Sequence, residues 1–149
     1  MSSHLAEILK QKKQAWLNYR EMSRFEIENW NNKVRELYEQ IKEWLRGFEN
    51  DGLLRFKDEC APAIETEVKY CFTIEWFNGQ TIEFEPVLNI VGAYGRVDMQ
   101  LGLHKVMIIL KEKNGSWIFA ERYNREEPTI YEFNQENFEQ IVTDFVEGF

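Results

Sequence analysis

Four charged side chains at two-residue spacing come closest to a reactive constellation in this chain. Glu83 and Glu85 lie on one stretch, Arg96 and Asp98 on a later one. Residues two apart on a β-strand share a face, so each pair projects together. If the two strands are neighbours, Arg96 can bridge the acids. The result would be a small acidic pocket or an oxygen-lined site for a hard cation. The more ordinary outcome is a solvent-facing ladder of cross-strand ion pairs. Paired acids for glycoside chemistry would need a cleft, and nothing in the sequence signals one.

Other chemistry is thinly supported. His4 and His104 are the two histidines, and neither has a Ser, Cys or carboxylate at an informative spacing, so a nucleophilic triad is not expected. With no H-x-H or H-E-x-x-H grouping, neither a metal nor a cofactor is expected. Asp58 followed by Glu67-Val68-Lys69 loosely resembles a nuclease D…E-x-K arrangement, but E-x-K arises by chance in a chain with 30% charged residues. Gly92-Ala93-Tyr94-Gly95-Arg96 has no following Lys-Ser/Thr and opens no helix, so its glycines fit a tight turn or bulge better than a phosphate loop.

Aromatic residues offer the other candidate surface. From His4 to Arg46 the chain has no Gly or Pro. Two apolar rows recur every eleven residues: Leu5, Trp16, Ile27, Tyr38, and Ile8, Tyr19, Trp30, Ile41. Eleven residues make three turns at about 3.67 residues per turn, so both rows fall on one stripe of an amphipathic helix. Between Ile27 and Phe48 the stripe also reads as a seven-residue repeat suited to a coiled coil. A single continuous or mildly kinked helix is favoured, although Ser23-Arg24-Phe25-Glu26 fits a capping box that would start a second helix at Arg24. A 43-residue helix spans about 65 Å, whereas a ten-residue strand covers about 33 Å, so a sheet cannot bury the whole stripe. Trp16, Tyr19 and Trp30 are therefore the candidate residues for binding a protein partner, by docking or by self-association.

After the helix, the period changes to two. Gly52 is expected to end the helix in the left-handed conformation, with Leu53, Leu54 and Phe56 packing back. Residues 57–64 read as a connecting loop. Val68 to Trp76 alternates as a half-buried strand. A three-residue loop, Phe77-Asn78-Gly79, pairs Ile74 with Ile82 and Phe72 with Phe84, whereas a two-residue turn would set apolar against acidic residues. Pro86 marks an edge or a bulge. Beyond it Val87–Val91 resumes an apolar run, and further strands are expected at Arg96–Leu101, at Val106–Leu110 in a central, doubly covered position, after a hairpin at Asn114-Gly115, and at Thr129–Phe133. A helix from about Asn134 presents Phe138, Ile141, Val142, Phe145 and Val146 on one face and ends at Gly148.

The expected architecture is α+β in one domain: a helical arm over 1–48, an antiparallel meander of five to six strands over 65–133, and a C-terminal helix over 134–148 packed on the sheet. At 149 residues and 44% hydrophobic, the chain can bury one sizeable core. No apolar run approaches a membrane span and no signal-peptide core is visible, so a cytoplasmic location without membrane contact is expected, with Cys60 and Cys71 as reduced thiols.

Charge is divided unevenly. Residues 1–48 hold nine Lys/Arg and seven Asp/Glu, and residues 49–149 hold nine and nineteen, for a total of −8. An acidic body repels phosphate backbones and steers toward basic partners, which disfavours nucleic acid even along Lys10, Lys12, Lys13, Arg20 and Arg24. The leading expectation is thus a non-enzymatic acidic protein acting by protein–protein association. It would be a stoichiometric inhibitor of the immunity or antitoxin kind, or an accessory subunit. The alternative is a small-molecule binder or enzyme with a pocket lined by Tyr70, Phe72, Trp76, Met99 and Trp117 on the curved sheet.

Overall fold

The computed structural model describes residues 3–21, 24–58, 71–88, 95–112, 115–121 and 127–149. Among them are three helices and one seven-stranded antiparallel sheet, an α+β arrangement. The helical arm comprises α1 (Ser3–Glu21) and α2 (Arg24–Asn50). The capping box at Ser23 lies outside the described residues. The sheet runs in strict sequence order: β1 (Leu54–Lys57), β2 (Phe72–Trp76), β3 (Thr81–Leu88), β4 (Gly95–Leu101), β5 (His104–Leu110), β6 (Trp117–Glu121) and β7 (Thr129–Glu132). Helix α3 (Gln135–Val146) closes the chain.

Helix α2 stops where the glycine directs. Gly52 has φ +75°, and the Gly52 and Leu53 amides donate to the Glu49 and Phe48 carbonyls, the bond pattern of a Schellman cap. Leu54 to Lys57 then continue as an edge strand, where the sequence reading had them merely packing back. That strand raises the count to seven. The β2–β3 hairpin has the three-residue loop, with Gly79 at φ +85°, Phe72 opposite Phe84 and Ile74 opposite Ile82. At the level of Pro86, the described partner of β3 is β4 alone, with Pro86 opposite Val97, so the missing amide breaks no described bond. Helix α3 starts at Asn134, whose side chain accepts from the Asn137 amide at 2.8 Å.

The core lies between one face of the sheet and helices α2 and α3. Trp30, Val34, Leu37, Tyr38, Ile41 and Leu45 recur at helical spacing on α2, and all are buried. They meet Phe72, Ile74, Ile82, Phe84, Val97, Met99, Val106, Ile108 and Phe119, which alternate along the strands. Tyr38 packs on Phe72 and Phe84 with ring centroids 5.0 and 6.0 Å apart, and Trp44 packs on Phe133 and Phe138 at 5.1 and 5.4 Å. Strand β5 lies between β4 and β6, but Met107 and Ile109, which point to the other face, are only half-buried. The central, doubly covered position expected for β5 is corrected to that extent.

Trp30 needs a second correction. Its ring is fully buried, 5.9 Å from Trp117, and sits directly over Gly95, where a Cβ would lie 2.5 Å from its six-membered ring. It is core, not partner surface. The cysteine expectation is also overturned, because Cys71 is disulfide-bonded. The other cysteine, Cys60, lies outside the described residues. Disulfides persist mainly in oxidising compartments, so the thiols no longer argue for a cytoplasmic setting. No helix among the described residues is long and apolar enough to cross a membrane.

Candidate functional site

The charged constellation on the sheet is assembled as neighbouring strands allow. Glu85 stands opposite Asp98 and Glu83 opposite Gln100, on the face away from the helices. Arg96 Nε lies 2.9 Å from Asp98 Oδ1, and Lys105 Nζ lies 3.6 Å from Asp98 Oδ2. Asp98 is thus balanced by two cations, while Glu83 and Glu85 are exposed. A neighbouring set on the same face has Glu75 between Arg55 and Lys57, at 2.5 and 2.6 Å. The Lys57 ammonium, together with Arg55, holds the Glu75 carboxyl below its usual range, against a smaller opposing effect of burial. Together they form a row of ion pairs on the outside of the sheet, Arg96–Asp98 within β4 and the others between neighbouring strands. Among the described residues, no three His, Cys, Asp or Glu side chains gather to hold a metal ion. The Glu67–Lys69 pair and the residues Gly92 to Tyr94 lie outside the described residues.

The core face holds one buried charged residue among those described, Glu121. The Tyr131 hydroxyl donates to its Oε1, and His104 Nε2 lies 3.4 Å from Oε2. This group ties the ends of β5, β6 and β7 together. Tyr38 offers no proton near neutral pH: burial first, then the Asp58 and Glu85 carboxylates, push its phenol well above its usual value.

Of the residues expected to line an aromatic pocket on the sheet, Trp117 is half-buried, and Trp76 also lines a groove described below. Phe72 and Met99 are fully buried and Trp76 is 8% exposed, while Arg96 and Glu85 face away from them. Tyr70 lies outside the described residues.

Among the described residues, two groups of apolar side chains form exposed surfaces. The first is α1, where Leu5, Ile8, Leu9 and Trp16 are 57, 39, 59 and 56% exposed. Of the three residues expected to bind a partner, Trp16 is thus on a surface, Trp30 is not, and the side chain of Tyr19 lies outside the described set. The second surface is a groove of about 380 Å³ where three elements end. Leu45 and Phe48 come from α2, Leu53 precedes β1, Trp76 and Phe77 close β2, and Val142, Val146 and Phe149 come from α3 and beyond. Glu139 and Glu147 stand at this groove as well. Phe149 folds back over it, with ring centroids 5.9 Å from Trp76, 6.2 Å from Phe77 and 5.4 Å from Phe145.

Sequence reasoning missed the groove. The available signal was large aromatics at element ends, Phe48, Phe77 and Phe149, where turns usually carry polar residues. No protein-family model matches the chain, and neither a curated protein nor a solved structure does.

Proposed function

We propose that the protein acts by association with another protein, with α1 as its docking element, and that it is not an enzyme. The observation that supports this is a contrast along one helical stripe. On α2 the stripe is core, whereas on α1 Leu5, Leu9 and Trp16 each leave more than half of their surface in water. Contiguous exposed apolar residues rimmed by charge are the usual mark of an interaction surface. The acidic charge of residues 49–149 favours a basic partner in long-range steering, as in a stoichiometric inhibitor of a basic protein or an accessory subunit. Ion-paired acids on the sheet supply neither an acid–base couple nor a nucleophile.

The test uses the tagged full chain and a Leu9→Glu/Trp16→Glu variant with the same melting temperature, each exposed to a native-host extract. A partner captured by the native chain is then purified and rebound to both. One-to-one binding lost in the variant is the expected result. Equal binding by the variant would overturn α1 as the docking element.

A further inference from the structure

The geometry points to a second copy of this chain as the occupant of the groove, its α1 laid between α2 and α3 in a reciprocal dimer. The inference rests on the reading of α1 as a docking element above, and takes a second copy of the chain, not a separate basic protein, as what α1 binds.

The groove is apolar inside and acidic at its rim. Phe48, Leu53, Phe77 and Phe149 are 45, 41, 69 and 39% exposed, and the charged residues that line it are Glu139 and Glu147. From Gln135 to Phe149 the chain has four acids and no Lys or Arg. Helix α1 has the complementary make-up, with four Lys/Arg against two Glu. On a wheel at about 100° per residue, Lys12 falls inside the arc spanned by Leu5, Ile8, Leu9 and Trp16, and Lys13 about 40° beyond it. An amine in the middle of an apolar stripe would be costly against a wholly apolar surface. Against a groove edged with carboxylates it gains a charge-assisted contact.

The chain's own α1 does not fill the groove: among the described residues none of α1 lines it, and Leu5, Leu9 and Trp16 each keep more than half of their surface exposed. Leu45 and Phe48 lie about 31–36 Å along α2 from Arg24, at 1.5 Å per residue. Trp16 is eight residues before Arg24. Even with the intervening link fully extended it reaches only about 20 Å along α2. Trp16 is therefore held toward the end of α2 opposite the groove. In an antiparallel pair of copies each α1 lies over the other's groove, and the interface closes on itself with twofold symmetry. The mode is an amphipathic helix in an apolar groove, anchored at i, i+3, i+4 and i+11.

Sedimentation equilibrium on the full chain tests this with two variants, Leu9→Glu/Trp16→Glu in α1 and Phe48→Lys/Phe77→Lys in the groove. All four side chains are exposed, and melting curves unchanged at a dilution where the native chain is monomeric confirm folding. The native chain is expected to dimerise, and each variant to weaken dimerisation by at least about 30-fold, the loss of one binding hot spot. An equimolar mixture of the two variants should regain a heterodimer, because one intact α1 then faces one intact groove. Dimerisation of the groove variant by itself would mean that α1 pairs with α1. A native chain monomeric up to about 0.1 mM would mean that no second copy binds at useful affinity. Either result overturns the reciprocal dimer and leaves the association reading intact, which fails only on its own binding test.

Discussion

Glu121 is held inside the sheet by a hydroxyl and an imidazole, and removing either should be felt in stability before anything else. Tyr131→Phe deletes one donor to a buried carboxylate and should cost about 1–3 kcal/mol in a urea titration. An unchanged midpoint would mean that the carboxylate finds water at that end of the strand. Glu75 gives a pH signature instead. Its folded pKa lies below the usual carboxylate value of 4.5, so its contribution is fully present above that value and is lost as pH falls through the lower folded one. Glu75→Gln should therefore flatten the acid-side fall of the melting temperature below about pH 4.5, and leave its slope near neutrality unchanged. A variant that titrates like the native chain would show that Arg55 and Lys57 do not hold this carboxyl in solution.

At the scale of elements, the two halves of the helical arm should respond oppositely to the same change. Trp30→Ala empties a fully buried site and should cost about 3–5 kcal/mol, whereas Trp16→Ala should stay within about 0.5 kcal/mol. Gly95→Ala should also destabilise, by about 1–3 kcal/mol, because its Cβ would enter the Trp30 ring. Denaturant titrations of the three variants check this, and a large loss in Trp16→Ala would place α1 in the core. This contrast also marks where sequence reasoning ran out. The eleven-residue period showed that one face of the arm is apolar, but Trp16 and Trp30 occupy equivalent places on it. Only the position of the sheet separates them. The β2–β3 register was legible because one loop length alone sets Ile74 against Ile82 and Phe72 against Phe84. Strand β1 was not, since four residues after a helix cap carry too little alternation to read. Gly95 was read as a turn residue, and its contact with a ring some 65 positions earlier in the chain has no local signal.

At the scale of the whole molecule, the two ends of α2 differ. One end of α2 carries α1, with exposed apolar residues and basic charge. The other carries the groove, built from residues 45–53, 76–77 and 142–149 with acids at its rim. The groove could not be read from the sequence because its walls converge only when the sheet and α3 fold over α2. The Lys12 and Lys13 contacts proposed for the dimer are solvent-accessible at their edges. Its dissociation constant should therefore rise with added salt, as the Debye length shortens from about 10 Å at 0.1 M to about 3 Å at 1 M. A salt-independent constant would mean that the acidic rim takes no part.

Amide hydrogen exchange across the helical arm, followed as a function of protein concentration, tests the central claim most directly. A 19-residue helix with its apolar stripe in water is marginal by itself. At micromolar dilution the α1 amides should exchange far faster than those of α2, and they should slow as concentration rises or a bound partner is added. Protection of α1 equal to that of α2 at the lowest concentration would contradict the account, because the stripe would then already be covered within a single chain.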